Sequence, residues 1–468
     1  MTFEKPKMNR RNFVMGASAL GFGGLIGLPQ LRANTAQPLA VQTRNTAFSI
    51  GGRPATKGLV SFTENGPPPV LRFKRNQRAR IDVTNGLEEY TSIHWHGLRI
   101  ANEMDGVPYL TQFPIAQDET FSYEFTPPDA GTFWYHPHCN TMEQMAHGLT
   151  GMLIVEEDTD PGFDAELPIN LKDFRLQDDG TLLPYFTARG AARGGTEGNA
   201  RTVNWETTPE YQIPTGGLVR LRIVNTDLTR VYKIFLPETE GKIIAWNGNP
   251  VRNAIDWPTQ SAPLWLAPGE RVDIAMRAPQ SEDQSVVVQT LIAKRPEPLF
   301  YMRTAGTPIK RDLAELKPLP ALEVDEPDLK TAEVKDILFG WSPEGTGSNN
   351  GLCGDFGYTF WSINRSPWPG DAIENTGPVV ELSHGKSYIL RLTNKSPNLH
   401  PIHLHGLIFR PLRSNQRSLP SNWTDTILLL KDETVEVAMR ADNPGNWAFH
   451  CHVIEHQKSG LSGYISVV

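Results

Sequence analysis

An all-β chain of three related Greek-key sandwich domains is predicted by three observations: alternating short strands, dense turn residues and a long-period repeat. The 468 residues include 40 Gly and 38 Pro, punctuation that favours many short strands over long helices. A chain of this length asks for roughly two to four domains. Segments such as Arg80-Ile81-Asp82-Val83 and Thr434-Val435-Glu436-Val437 alternate apolar and polar residues, the period of a strand with one face buried. Short strands of this kind between Pro/Gly turns suit antiparallel sandwiches.

The repeat runs through almost the whole chain after residue 33. Ile81-Asp82-Val83-Thr84-Asn85 precedes His94-Trp95-His96-Gly97, and Leu390-Arg391-Leu392-Thr393-Asn394 precedes His403-Leu404-His405-Gly406. From Asn to the first His is nine residues in both. Further on, Thr120 leads to Gly131 and His136-Pro137-His138, as Thr434 leads to Gly445 and His450-Cys451-His452, with spacings of eleven and five in each. The middle of the chain keeps the frame and loses the histidines. Leu218–Asn225 matches the strand ending in Asn, but Ile234 stands nine residues on, and Pro268-Gly269-Glu270-Arg271 leads to no His. The expected division is residues 34–160, 161–306 and 331–468, with an acidic, Pro-rich linker at 307–330 and a middle domain acting as spacer. Domains of about 145 residues are of ordinary size.

Residues 1–33 read as an export signal. Arg10-Arg11-Asn12-Phe13 precedes a Gly/Ala-rich apolar run, and Leu31-Arg32-Ala33 offers a cleavage site. The Arg pair resembles a twin-arginine signal, which implies a periplasmic protein. This segment carries five basic residues and one acidic residue, so the remainder has a net charge of about −11. Such a balance argues against nucleic acid or an anionic membrane as partner. Three cysteines rule out a disulfide framework, and the spacing of Cys139 and Cys353 leaves their pairing open.

Ten of the twelve histidines fall in four clusters: His94 and His96; His136 and His138; His400, His403 and His405; His450, His452 and His456. His147 and His384 stand alone and read as structural residues. On a strand, the imidazoles of H-x-H share a face about 6.6 Å apart along the chain. They can converge on one metal or reach two. In His450-Cys451-His452 the thiol faces away from both rings, so a metal bound by sulfur would be covalently joined to metals bound by the flanking imidazoles. Zinc fits poorly, since histidines exceed a tetrahedral set and Cys is scarce. A His₂Cys set with a weak or absent axial ligand indicates blue copper.

With HWHG, WYHPH, HPIHLHG and HCHVIEHQKSGL present in order, the chain resembles three-domain bacterial multicopper oxidases of the laccase-like kind. The resemblance implies cupredoxin-like domains and four copper ions. It places His400, Cys451 and His456 on a type 1 copper, and His94 and His403 on a type 2 copper. His96, His136, His138, His405, His450 and His452 would hold a type 3 pair. The axial position, ten residues after Cys451, is Leu461, and a non-coordinating side chain there favours a higher potential. Asp105 matches an acid that supplies protons in the family, and Asp425 one that lies near the type 1 copper and assists the reductant in some relatives. Where relatives carry a second acid after the last type 1 His, this chain has Gln457.

The implied activity is one-electron oxidation of phenols or aromatic amines coupled to reduction of O₂ to water. A metallo-oxidase for Cu(I), Mn(II) or Fe(II) is the alternative, although the ten Met are scattered and form no Met-rich insert. A non-catalytic scaffold or cell-division protein of the same fold would have lost the ligands. The expected partners are a small-molecule or metal-ion reductant and O₂, with no membrane anchor after signal removal and a monomeric chain.

Overall fold

The computed structural model describes residues 28–32, 38–343, 352–353, 357–370 and 377–468. Among them are six β-sheets and three short α-helices, Thr141–Ala146, Ala188–Ala191 and Ile454–Lys458. The sheets fall into three pairs with one topology. In one sheet of each pair the central strand is Ala79–Asn85, Leu218–Asn225 or Ser387–Asn394. Each lies parallel to an earlier strand (Leu39–Phe48, Ala165–Phe174, Glu333–Trp341) and antiparallel to a later one (Thr120–Phe125, Arg271–Arg277, Thr434–Arg440). In the other sheet, Gly131–Pro137, Ser285–Ile292 or Gly445–Cys451 pairs antiparallel with Ile93–His96, Tyr232–Phe235 or His400–Leu404.

The Asn at the end of each central strand is fixed by chemistry repeated three times. Asn85 donates its amide to the carbonyls of Glu89 and Ile115, Asn225 to those of Arg230 and Leu266, and Asn394 to those of Asn398 and Leu430. Its oxygen accepts from the N–H two residues on, at Leu87, Asp227 or Ser396. One side chain thus satisfies backbone groups that leave the ladder where the strand ends. A Glu repeats as well: Glu119, Glu270 and Glu433 each accept from the N–H three residues earlier, closing the turn into the next strand.

Each pair of sheets encloses its own apolar core, built around Ile81 and Trp95, Leu221 and Val288, or Leu392 and Trp447. Ser387–Asn394 alternates half-buried and buried residues, as its pattern predicts. Leu218–Asn225 is buried throughout. Its polar face is covered because Arg220 and Arg222 reach Glu157, Glu166 and Asp273. Residues 307–330 contain one short 3₁₀ turn, Leu313–Glu315, and no strand. Acids in this stretch pair with arginines from all three parts of the chain: Glu323 with Arg75, Glu326 with Arg252 and Arg410, and Asp325 with Arg440.

Gln30–Arg32 forms an edge strand parallel to Val70–Arg72, Arg72 donates to Gln30, and Leu28 is buried. These residues join the first sheet, although they fall within the segment that the sequence reads as a leader. The Arg10-Arg11 motif lies outside the described residues.

Candidate metal centre

Strand alternation separates two groups of ligands, one on each side of the strand ending at Cys451. On one side Cys451 Sγ lies 3.5 Å from His400 Nδ1 and 3.6 Å from His456 Nδ1, and the two nitrogens are 3.1 Å apart. A point equidistant from these three atoms lies about 2.0 Å from each, the reach of a transition-metal bond to nitrogen or sulfur. His400 begins the strand His400–Leu404, and His456 sits on the helix Ile454–Lys458. Leu461 is fully buried beside them, and its carbonyl accepts from the Cys451 N–H.

On the other side eight imidazoles from the first and last sheet pairs meet. They form the groups His94–His403–His405, His94–His96–His136 and His138–His405–His450, with His452 5.0 Å from His96 and 5.3 Å from His136 between ring centroids. Backbone carbonyls set the tautomers. His94, His136, His403 and His450 each place Nδ1 against a carbonyl, of Asp105, Pro137, Asp425 and Cys451 respectively. Those Nδ1 atoms donate, which leaves Nε2 as a lone pair.

Asp105 holds a ring from each half of the site. Its carboxylate lies 2.8 Å from His405 Nδ1 and 3.2 Å from His94 Nδ1. Gly106, at φ 80°, lets this turn pass beneath the strand; an added Cβ would stand 1.8 Å from the Ile93 carbonyl oxygen. The His405 and His450 lone pairs then face each other at 3.0 Å, an arrangement only a cation makes favourable. Ring nitrogens of His94, His96, His136, His138, His403 and His452 have no hydrogen-bond partner among the described residues. Buried polar atoms are rarely left so. The donor set therefore fits copper.

The electrostatics agree with this donor set. Burial pushes His96, His136, His138, His405 and His452 well below the usual imidazole range, and neighbouring imidazoles push further. Burial takes His450 to about 3 and His456 to about 4. The rings are thus neutral, the form that binds metal. Burial also raises the Cys451 thiol well above its ordinary value, so the thiolate forms only as a metal displaces the proton.

Asp425 is placed differently from its expected position beside the type 1 group. It is buried with His403 and His96 and paired with Arg271, whose guanidinium comes from the middle part of the chain. The carboxylate is enclosed by these groups and nearly shut off from solvent. Gln457 reaches only to 3.5 Å from His138 Nε2. Cys139, next to His138, is bonded to Cys353, settling the pairing that the sequence left open. Among the described residues, His147 and His384 join no metal-binding group.

The middle part supplies no imidazole but does more than space the other two. Gly269, at φ 87°, lies so close that an added Cβ would stand 2.9 Å from His452 and 3.1 Å from His96. The Arg193 carbonyl accepts from His456 Nε2 at 2.5 Å, and the Ala191 carbonyl accepts from Trp361. Sequence reasoning passed over these contacts. The Pro268-Gly269 turn was visible as a repeat position, but its closeness to the rings carried no signal.

Known proteins place this arrangement in a class. Family profiles described as multicopper oxidase match residues 40–160 and 350–468. The crystal structure of a multi-copper oxidase from Pseudomonas thermotolerans is 34% identical, with a TM-score of 0.81, covering 94% of this chain and all of that one. Multicopper oxidase MmcO of Mycobacterium tuberculosis is 25% identical over 98% of this chain and 97% of its own. The iron transport multicopper oxidase FET3 of Candida albicans is 25% identical over 91% of this chain and 76% of its own. The protein belongs to the multicopper oxidase family. It is an oxidoreductase that uses copper and passes electrons to O₂.

Proposed function

We propose a laccase-like enzyme with four copper ions that oxidises phenols or aromatic amines one electron at a time and reduces O₂ to water. His400, Cys451 and His456 would hold the type 1 ion, with the buried Leu461 beside them unable to coordinate it. His94 and His403 would hold type 2, and His96, His136, His138, His405, His450 and His452 would hold the type 3 pair. The observation that carries this reading is the set of eight buried imidazoles with unpartnered or mutually facing ring nitrogens. When bound, the copper ions supply one-electron transfer and the reduction of O₂.

The chain's own residues prepare that chemistry. His450-Cys451-His452 spans both groups, giving electrons a covalent path a few bonds long. Asp105 orients His94 and His405 and stands where a proton can be handed to the O₂ site. The neutral rings, held by backbone carbonyls, need little reorganisation to bind metal. Export to an oxidising compartment is supported by the Cys139–Cys353 bond, and the Arg10-Arg11 pair carries the twin-arginine reading. The threefold topology supports domains at about 28–160, 161–306 and 331–468, the first extended by Leu28–Arg32.

A metal-ion reductant is the second reading, since the Candida albicans relative is named an iron transport oxidase. Among the described residues no carboxylate hydrogen-bonds to His400 or His456, which favours an organic reductant. Metal analysis with visible and electron paramagnetic resonance spectra tests the assignment. About four coppers per chain and an intense blue band are expected; fewer than about two in a well-loaded sample would sink it. O₂ uptake with phenols, aryl amines, Fe(II), Mn(II) and Cu(I) then decides the reductant.

A further inference from the structure

The type 1 ligands offer no edge to solvent. His400, Cys451 and His456 are fully buried, His456 Nε2 is covered by the Arg193 carbonyl, and His400 Nε2 is held by Ser396. A reductant therefore has no open imidazole to touch. One aromatic route leads outward instead. The buried Trp361 ring packs against both imidazoles, with centroids 4.9 Å from His400 and 4.7 Å from His456. It also stacks on Trp341 at 4.3 Å and 16°. The two indoles are directly opposed across the antiparallel strands Glu333–Trp341 and Trp361–Ile363, where paired side chains share a face. Trp361 is anchored by its N–H to the Ala191 carbonyl, while Trp341 is 46% exposed.

Core packing does not account for the outer ring. A large aromatic left half in water gives up burial that would stabilise the fold, and among the described residues Trp341 is one of few large apolar side chains so exposed. Continuous π contact from that surface to both imidazoles matters because electron tunnelling falls steeply with each gap crossed.

We propose that Trp341 is the electron-entry site: an electron-rich aromatic reductant stacks on its exposed surface and is oxidised there, without reaching a copper ligand. The reductant gives up one electron, which crosses Trp341 and Trp361 to the Cu(II) held by His400, Cys451 and His456, reducing it to Cu(I). The phenolic proton passes to water, and the reductant leaves as a neutral radical. Since the ring docks on a surface, a phenol carried on a polymer can serve as well as a free one. This inference rests on the type 1 assignment above.

Anaerobic stopped-flow bleaching of the blue band by 2,6-dimethoxyphenol tests it in Trp341→Ala and Trp341→Phe, with the same phenol titrated into copper-free protein by calorimetry. Trp341→Ala should slow bleaching about tenfold or more and weaken binding to the copper-free protein. The blue spectrum and potential should remain unchanged, and Trp341→Phe should recover part of both losses. A phenol tethered to dextran should bleach the wild type at a rate within about tenfold of the free phenol. Wild-type bleaching and binding in Trp341→Ala, or an inert tethered phenol, would overturn surface entry while leaving the type 1 assignment intact. Absence of a blue band in the loaded wild type would overturn both.

Discussion

Arg271 and Asp425 form a two-pronged ion pair out of contact with solvent, Nη1 donating to Oδ1 at 2.7 Å and Nη2 to Oδ2 at 2.6 Å. Burial alone would raise the carboxyl, but the Arg271 charge and hydrogen bonds, with His403, outweigh it and hold Asp425 well below the carboxylate range. Replacing Arg271 by Met leaves a buried charge alone, at an expected cost of about 3–5 kcal/mol at pH 7. A group with a depressed folded pKa stabilises above its unfolded pKa and ceases to as pH falls. The wild-type stabilisation is therefore still present at pH 4, but in the variant burial raises the unpaired carboxyl, which takes up a proton in acid, so the difference between the two should shrink from pH 7 to pH 4. Urea denaturation of copper-free protein at pH 7 and pH 4 reads both; an equal midpoint at pH 7 would show that the pair contributes nothing net.

Asp105→Asn keeps the shape of the side chain and removes the charge. Copper content and the blue band should survive, because the ring nitrogens facing the metals are untouched. O₂ uptake should fall by at least about tenfold, since Gln457 provides no second acid. Full turnover with full copper would remove Asp105 from the proton route.

Leu461→Met places a thioether where no ligand stood. Axial coordination favours Cu(II), so the type 1 potential should drop relative to wild type. Redox titration of the blue band checks the direction, and an unchanged or higher value counts against Leu461 as the axial residue.

Lys172 is wholly buried, and its ammonium has no hydrogen-bond partner among the described residues. Burial lowers its pKa to about 8, with Asp227 and Asp173 opposing. A base with a depressed folded pKa weakens the fold fully below that value, and the penalty fades as pH rises toward its free value of about 10.4. Lys172→Met should thus stabilise by about 1–3 kcal/mol at pH 7 and gain little at pH 10. Thermal melts at the two pH values decide; a destabilised variant at pH 7 would show that the amine has a partner in solution.

The ligands were legible because metal binding needs particular side chains at spacings the repeat preserves. The sequence showed His94 and His403 as equivalents, and Asn85, Asn225 and Asn394 as one position in three copies. What it did not show depends on groups every residue carries or on contacts between distant segments. The carbonyls of Arg193 and Ala191 look like any others in a sequence. Arg271 could be known as a partner for Asp425 only once the middle sheets were seen against the last. Leu28–Arg32 was absorbed into the leader because a three-residue edge strand has no periodicity of its own.

Placing the eight imidazoles on both the first and the last sheet pairs has a consequence for biosynthesis. While the ribosome is still making the middle sheets, the nascent chain has His94, His96, His136 and His138 in hand but no counterpart to close around a cluster. Contacts this distant in sequence form late. A chain that stops before His400 would therefore close no such cluster and, lacking His400, Cys451 and His456 as well, should show no blue band.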